Sequence, residues 1–341
     1  MKLFLLDAYA LIYRAYYAMI KMPRVNSKGL NTSAILGFVN TLEDVLKKEN
    51  PTHIGVAFDP PGPTFRHDAY DAYKAQREET PEVIRTSVPI IKDIIRAYRI
   101  PILEVPHYEA DDVIGTIAKK FSSSFPIYMM TPDKDYGQLV GENIFIYKPK
   151  YGSSEFEVLD VNRVKEKYSL TDPCQMIDLL GLMGDASDNI PGCPGVGEVT
   201  AKKLIADFGS IENLLAHTDQ LKGALKDKIE TNKDLILFSK FLATIKTDVP
   251  IDIHPDDLLR AEIDKPALRK LFEELAKPYQ VSPPLFQWLA LRLRQILQPY
   301  LLSLLLLVAV YRLIQLVFQR LTLPLLFSSW LNSSEFLRCY L

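Results

Sequence analysis

Four short apolar runs alternate with helical patterns through the first part of the chain, and this alternation restricts the fold more than any other feature. The runs have the continuous apolar character of strands buried on both faces of a parallel sheet, and they lie at residues 3–6, 53–58, 100–105 and 126–130. Between them, residues 33–48 and 81–98 show the periodicity of amphipathic helices. The pattern predicts an α/β fold with a mainly parallel central sheet flanked by helices.

Carboxylates follow each of the four runs. They are Asp7 after the first, Asp59 after the second, Glu109, Asp111 and Asp112 after the third, and Asp133 and Asp135 after the fourth. Because ligands of α/β proteins bind beyond the carboxyl ends of the strands, we expect these side chains to form one site. The alternative is that each acid serves separately as a helix cap, a first-turn residue or a solvated loop residue. The convergence of four segments favours the shared site.

So many carboxylates at one edge indicate a bound cation, because neighbouring like charges repel and raise one another's pKa. Oxygen ligands suit Mg²⁺ or Mn²⁺, and the absence of His and Cys among these candidates argues against zinc. Two such ions about 4 Å apart would activate a water and stabilise the leaving oxygen of an in-line displacement at phosphorus. The constellation therefore predicts phosphodiester hydrolysis.

Residues 182–205 contain a second pair of acids and a glycine-rich turn. Asp185 and Asp188 come first, and Pro-Gly-Val-Gly then leads into a helical pattern that carries Lys202 and Lys203. Glycines at a helix N-terminus let backbone N–H groups approach a phosphate closely. We interpret the turn as a phosphate contact, although an ordinary turn between helices would also explain its glycines.

Residues 65–77, FRHDAYDAYKAQR, combine basic and aromatic side chains. If the segment is helical, one face carries Arg66, Tyr70, Tyr73, Lys74 and Arg77. Such a face suits a groove for a single nucleic-acid strand. The alternative is a solvated amphipathic helix, which Asp68 and Asp71 would favour.

Length and composition set broad limits. A chain of 341 residues is long enough for two domains. The net charge of −2 argues against a uniformly basic nucleic-acid coat but leaves room for a local basic patch. Cys174, Cys193 and Cys339 have no metal-ligand or disulfide spacing, which suits a reducing compartment. We expect a cytoplasmic protein.

The character of the chain changes near Ala276. Glu335 is the single acidic residue after Glu274, and the tail is rich in leucine. Its charge-free apolar run at residues 300–311 is shorter than the roughly 20 residues of a membrane span. A tilted span that tolerates Arg312 is one hypothesis for the tail, and a slip of the reading frame near Ala276 is the other, which we favour.

Five segments, read in order, resemble the 5′→3′ exonuclease domain of bacterial DNA polymerase I, a member of the flap endonuclease family. They are FLLDAYALIYRAYYA, VAFDPPGPTFRHDAYDAYKAQR, VPHYEADDVIGTIA, TPDKDYGQLV and GDASDNIPGCPGVGEVTAKKLI. The resemblance covers roughly residues 1–275. It implies a PIN-like 5′ nuclease core at residues 1–180 with an arch near 60–98, a helix-hairpin-helix region at 181–275, and an atypical tail at 276–341.

The resemblance also implies roles for individual residues. A first metal site would comprise Asp7, Asp59, Glu109 and Asp111, with Asp112 beside it, and a second would comprise Asp133, Asp135, Asp185 and Asp188. Arg66 and Lys74 would act in the region that contacts the scissile strand, with Lys74 neutralising phosphate charge in the transition state. Arg14 would contact phosphate. The duplex backbone would be gripped by the hairpin residues Gly192, Gly195, Val196, Gly197, Lys202 and Lys203, with K⁺ at the turn carbonyls. Val199 stands where the family's motif usually has a lysine.

The activity implied is that of a structure-selective 5′ nuclease with two Mg²⁺ (or Mn²⁺) ions. It would act as a monomer, associated with the nucleoid, on DNA with 5′ flaps, nicks or RNA primers during replication and repair. The chain shows no motif of the proofreading or polymerase domains that follow in the family, so polymerase activity is not expected from it. Two alternatives stay open: a PIN-type ribonuclease, and a catalytically silent DNA-binding remnant.

Overall fold

The computed structural model describes residues 1–150 and 155–276 of the chain. The described residues belong to one compact unit, Met1–Pro278. The tail from residue 277 onward, with the hypotheses of a frameshift or a membrane segment, lies outside them. Within the described ranges, no helix combines the length and apolar character that crossing a bilayer requires.

A six-stranded sheet forms the centre of the molecule. Its strands are β1 Leu3–Asp7, β2 His53–Ala57, β3 Ile102–Leu103, β4 Ile127–Met130, β5 Ile144–Pro149 and β6 Phe156–Leu159. The spatial order is β3-β2-β1-β4-β5-β6, and every neighbouring pair is parallel except β5 with β6. The four predicted strands are present, and the predicted mainly parallel α/β fold is confirmed. The apolar pattern of the sequence does not predict β5 or the antiparallel edge strand β6, because short strands of mixed polarity carry a weak periodic signal.

Helices cover both faces of this sheet and continue beyond it. They are α1 Ala8–Ala18, α2 Ser33–Asp44, α3 Phe65–Ala69, α4 Glu82–Ala97, α5 Ala110–Phe121, α6 Val161–Tyr168, α7 Met176–Met183, α8 Glu198–Phe208, α9 Ile211–Ala216, α10 Gly223–Thr231, α11 Lys233–Ala243 and α12 Lys265–Ala276. The predicted helix at 33–48 corresponds to α2 with the π-helical turn Val45–Glu49 that follows it, and the predicted helix at 81–98 corresponds to α4.

The strands alternate their side chains between two apolar layers. One layer packs β1 and β4 against α5 and includes Leu3, Leu5, Val113, Ile117 and Ile127. The opposite layer packs the sheet against α1, α2 and α4 and includes Phe4, Leu6, Ile12, Phe38 and Ile94. A third apolar cluster joins the helices from α7 to α11 and includes Leu179, Leu182, Leu204, Ile211 and Ile236. Cover on both faces explains why the strands read as continuous apolar runs.

The prediction of one helical face at residues 65–77 is wrong. Helix α3 ends at Ala69, and Lys74 adopts a left-handed backbone conformation with φ of 56°. The chain turns because residues after α3 bond to the loop before α8: Lys74 N donates to Asp188 O at 3.0 Å, and Asn189 Nδ2 donates to Ala72 O at 2.7 Å. These long-range contacts override the local amphipathic pattern, and they turn Tyr73 into the interior.

Candidate active site

Asp7 ends β1 and lies under the carboxyl edge of the sheet. Its carboxylate accepts hydrogen bonds from Ala10 N at 3.1 Å, Thr131 Oγ1 at 3.0 Å and Tyr136 Oη at 3.3 Å. Burial, with a further contribution from the carboxylate of Asp59, raises the pKa of Asp7 to about 7. The ionised form of this side chain therefore lacks a cationic partner among the described residues.

Asp59 connects the second strand to the beginning of α5. Its Oδ1 accepts a hydrogen bond from Ala110 N at 2.8 Å, so the carboxylate lies at the positive end of that helix. Burial raises the pKa of Asp59, although Lys74 and the Ala110 N–H act in the opposite direction.

The N-terminus of α5 brings three acids together, and one oxygen each of Glu109, Asp111 and Asp112 lies within 4.8 Å of the other two. Glu109 Oε1 accepts from Lys74 Nζ at 2.6 Å, and its Oε2 lies 3.1 Å from Arg66 Nη1. Burial would raise the pKa of Glu109, but Lys74 and Arg66 outweigh it and lower the pKa. Burial and the neighbouring Asp112 raise the pKa of Asp111 well above its ordinary value.

Asp112 and Arg66 form a buried pair next to Glu109 and Asp111. Both oxygens of Asp112 are already engaged, by Arg66 at 2.8 and 2.9 Å, by Lys246 N at 2.7 Å and by Glu109 N at 3.1 Å. Asp112 thus lies beside the predicted first metal site, as one of the three clustered acids, with its oxygens engaged by Arg66 and backbone N–H groups. Arg66 is only 2% exposed, so the prediction that it contacts the scissile strand is wrong.

A second group of acids comes from the loop after β4 and the loop before α8. Asp133 Oδ1 accepts from Asp135 N at 3.0 Å, and Asp185 pairs with Lys134 at 2.7 Å. Burial, reinforced by Asp133 and Asp185, raises the pKa of Asp135 well above its ordinary value. Asp135 Oδ1 is the one buried side-chain N or O atom among the described residues that has no hydrogen-bond partner.

Lys74 joins the two groups of acids. Its Nζ lies 2.6 Å from Glu109 and 3.5 Å from Asp188. Arg77 also pairs with Asp188, at 2.5 Å. The hydroxyl of Tyr73 lies 3.0 Å from Glu109 Oε2 and 3.0 Å from Asp188 Oδ2. The eight acids other than Asp112 thus surround one edge of the sheet. Tyr73, predicted to line a groove for a nucleic-acid strand, lies buried between Glu109 and Asp188.

The donor set fits divalent metal ions. It consists of oxygen atoms alone, burial raises the pKa of several of its members, and Asp135 Oδ1 lacks a partner that a buried oxygen normally has. A cation would satisfy that oxygen and favour the ionised carboxylates. The residues placed to hold such ions are Asp7, Asp59, Glu109 and Asp111 on one side and Asp133, Asp135, Asp185 and Asp188 on the other.

The glycine turn before α8 divides into buried and exposed positions. Gly192 is buried and its N–H donates to Ser239 Oγ at 3.0 Å, and Val196 is only 3% exposed. The prediction that these two residues contact DNA is wrong, because both face the helical core. Gly195 and Gly197 are exposed, and Gly197 is the N-cap of α8.

The remaining predicted contacts lie on the surface or partly so. Arg14 is exposed in the middle of α1, and no ion pair involves it within the described part of the chain. Tyr70 packs edge-on against the ring of Phe238 at 5.6 Å. Lys202 pairs with Glu198 at 2.7 Å one turn earlier on α8, whereas Lys203 is exposed.

Sequence reasoning missed three residues that hold the acids in place. Thr131 and Tyr136 both donate to Asp7, and Lys134 pairs with Asp185. A signal existed for Lys134, because a lysine between Asp133 and Asp135 is the nearest cation to the acids that follow β4. The inward direction of Tyr136 depends on the turn after β4 and has no local signal.

Comparison with known families identifies two matching regions. A model described as "5′-3′ exonuclease, N-terminal resolvase-like domain" matches residues 2–169, and one described as "5′-3′ exonuclease, C-terminal SAM fold" matches residues 171–266. DNA polymerase I of Bacillus caldotenax and that of Bacillus subtilis are each 42% identical over 276 residues, which is 80% of this chain. The chain spans 31% of the length of these two relatives.

Solved structures share the fold at low sequence identity. The 5′-exonuclease of phage T5 with bound zinc aligns with a TM-score of 0.60 and 20% identity, over 82% of this chain and all of the other. The catalytic core of Rad2 in complex with a DNA substrate aligns with a TM-score of 0.55 and 18% identity, over 87% of this chain and 91% of the other. The sheet and the helical region after it are therefore a known combination.

Proposed function

This chain belongs to the 5′-3′ exonuclease family, and from that membership we propose that it is a structure-selective nuclease that hydrolyses phosphodiester bonds at 5′ ends and 5′ flaps of DNA. The observation that carries the proposal is the set of eight carboxylates around Lys74 at the carboxyl edge of the sheet. Acids of this kind, delivered by five segments, suit a hydrolase that uses divalent cations.

Two Mg²⁺ or Mn²⁺ ions, when bound, would supply charge stabilisation for the phosphate and lower the pKa of water at the site. Asp7, Asp59, Glu109 and Asp111 would hold one ion, and Asp133, Asp135, Asp185 and Asp188 would hold the other. Exclusion of bulk water by the surrounding apolar layers strengthens every electrostatic interaction of these groups.

Lys74 would contact the scissile phosphate. Burial lowers the pKa of Lys74, but Glu109 and Asp188 outweigh it and raise the pKa, so the ammonium stays charged. Its side chain is 19% exposed between the two groups of acids, where it can reach a non-bridging phosphate oxygen. Arg77 reaches the same place from the exposed side and would hold a neighbouring phosphate.

The duplex would be gripped by the exposed end of α8, through the backbone of Gly195 and Gly197 and the side chains of Lys202 and Lys203. Arg14 would contact a phosphate from α1. Potassium at the turn carbonyls stays a prediction, and one of these carbonyls, Gly195 O, lies 3.4 Å from Lys228 Nζ. Structures titled as complexes with DNA, of Rad2 and of the phage T5 flap endonuclease, support DNA as the partner.

The wider role that we propose is removal of flaps and RNA primers during replication and repair. The protein would act as a monomer in the cytoplasm, at the nucleoid. Products with a 3′-hydroxyl and a 5′-phosphate are expected, because hydrolysis breaks the bond between phosphorus and the 3′ oxygen.

Cleavage of a labelled 5′-flap duplex in Mg²⁺ tests this function. The wild-type protein should release the flap, and Asp111→Ala should slow release by at least about 100-fold, because it removes a carboxylate from the proposed metal site. Asp252→Ala is the matched control, since that side chain is 98% exposed, and it should cleave at the wild-type rate.

Two other outcomes would replace the proposal. Cleavage of single-stranded RNA without cleavage of the flap duplex would identify a PIN-type ribonuclease. Binding of the duplex without cleavage, in a folded protein with Mg²⁺, would identify a DNA-binding remnant.

A further inference from the structure

Arg66 is buried beneath the acid site, where α3, α5 and the end of α11 meet. Its guanidinium makes five hydrogen bonds: Nε to Leu242 O, Nη1 to Glu109 and Asp112, and Nη2 to Asp112 and Thr244 O, with distances of 2.8 to 3.1 Å. Five is the full donor capacity of an arginine side chain. No donor is left over for a phosphate.

Asp112 is the counterpart of Arg66, and its oxygens are also fully used. It accepts two bonds from Arg66, one from Lys246 N and one from Glu109 N. The carboxylate therefore fixes the backbone at the start of α5 and the segment after α11 at the same time. Removal of either partner would leave a charge without compensation in a buried position.

The two carbonyls bound by Arg66 lie at the end of α11. Leu242 is in its last turn and Thr244 is its C-cap. The last carbonyls of a helix lack partners within the helix, and a cation there also interacts favourably with the helix dipole. Arg66 thus caps α11, 176 residues away in the chain, with the same planar group that holds Glu109.

We propose that Arg66 is a positioning residue that orients Glu109 toward a divalent cation and fastens it, through Asp112, to the C-terminal end of α11. The proposal rests on the proposed function, because it assigns Glu109 to a metal. It gives Arg66 and Asp112 a joint role beneath the site in place of direct contact with DNA or metal. A guanidinium suits this role because its rigid fork bonds carboxylates and carbonyls simultaneously, which an ammonium on a flexible stem cannot do.

Calorimetric titration of Mg²⁺ into Arg66→Lys tests the proposal directly. Loss of the fork should weaken Mg²⁺ binding by about 10- to 100-fold, the usual effect of disturbing the groups that orient a metal ligand. The dissociation constant for a 5′-flap duplex, measured in EDTA, should change by less than about twofold, and its dependence on salt should stay the same, because no phosphate contact is lost.

Lys240→Gln is the matched control. It breaks different ion pairs of α11, those of Lys240 with Asp178 at 2.6 Å and with Glu212 at 2.7 Å, and it leaves Glu109 untouched. Its Mg²⁺ affinity should equal that of the wild type even where its melting temperature falls. Equal losses of Mg²⁺ affinity in both variants would mean general destabilisation and would overturn the proposal.

A second variant covers the case in which Arg66→Lys fails to fold. Arg66→Met combined with Asp112→Leu replaces the buried pair by apolar side chains, an exchange that is often neutral for stability, and it should show the same loss of Mg²⁺ affinity. Unchanged Mg²⁺ affinity would contradict the proposal. So would weaker duplex binding whose dependence on salt concentration falls by about the amount that one phosphate contact contributes. The titration uses protein without DNA, so its outcome is separate from that of the cleavage assay.

Discussion

The carboxylates of the site differ from one another in whether a cation already accompanies them. Glu109 and Asp188 contact Lys74, and their pKa values fall because Lys74, together with Arg66 at Glu109 and Arg77 at Asp188, outweighs the effect of burial. Asp7 and Asp135 form no ion pair with any described residue, and burial raises their pKa values, at Asp135 against the opposing charge of Lys134. The Lys74 contacts favour the ionised forms of Glu109 and Asp188 without metal, whereas burial disfavours the ionised forms of Asp7 and Asp135, which a bound cation would favour.

The pKa of Asp7 leads to a prediction about stability in EDTA. The folded-state pKa is about 7 against an ordinary value of 3.8, so between these values the folded chain holds a proton that the unfolded chain has lost. Linkage then requires stability to fall as pH rises through this window. One pKa unit corresponds to about 1.4 kcal/mol, so the loss from pH 4 to pH 7 should amount to roughly a few kcal/mol. Thermal melting as a function of pH measures it.

Two comparisons sharpen this test. Asp7→Asn has no charge to form at this position, so its stability should fall less steeply with pH than that of the wild type, by the share that Asp7 contributes. Stabilisation of the wild type by Mg²⁺ should grow from pH 5 to pH 7, because the ion displaces a proton more easily as pH rises. If stability in EDTA instead increased with pH over this range, the raised pKa of Asp7 in the folded chain would be contradicted.

The positions of the acids could be read from the sequence, but the partners of Arg66 could not. Asp7 and Asp59 each come directly after an apolar run, and the topology of a parallel sheet brings such residues to one edge. The alternation of charged and aromatic residues around Arg66 in the sequence is typical of an exposed amphipathic helix, so the sequence predicts an exposed side chain. Its burial depends on the carbonyls of Leu242 and Thr244, which only the folding of α11 onto the core brings near.

Among the elements, the turn between α7 and α8 combines packing with the proposed DNA-binding surface in one short segment. Gly192 has a φ of 62°, and an added Cβ would lie 2.3 Å from Gly184 N. Gly197 has an ordinary φ of −91°, and no atom lies within 4 Å of a Cβ added there. The glycine pattern alone gives no distinction between these roles, since both residues fit the same sequence motif.

Alanine at the two positions should therefore have different effects. Gly192→Ala should cost more than about 2 kcal/mol, since a left-handed backbone and a backbone collision both oppose it. Gly197→Ala should cost less than about 1 kcal/mol, yet it should weaken duplex binding, because a methyl group would stand where a phosphate approaches. Denaturant unfolding and a binding titration separate the two effects. Equal losses of stability would argue against this division of the turn.

For the molecule as a whole, the site depends on both regions that the family models match. Asp7, Asp59, Asp111 and Asp133 extend from the sheet, whereas Asp185 and Asp188 come from the loop between α7 and α8. Segment 72–77 joins the two regions: Gln76 Nε2 donates to Ala186 O at 2.6 Å, and Arg77 Nε donates to Ser187 O at 3.1 Å. The α/β sheet could be predicted from periodicity. The joining of the two regions could not, because it depends on bonds from side chains of one loop to backbone carbonyls of another loop 110 residues away in the chain.

Manganese in crystals of the protein with a 5′-flap duplex would show directly whether this edge is a metal centre. Anomalous scattering should reveal two ions about 4 Å apart, one bound by Asp7, Asp59, Glu109 or Asp111 and the other by Asp133, Asp135, Asp185 or Asp188, with Asp112 still on Arg66. If the crystals contained bound DNA but showed no anomalous peak at this edge, the proposal of a metal-dependent nuclease would be contradicted.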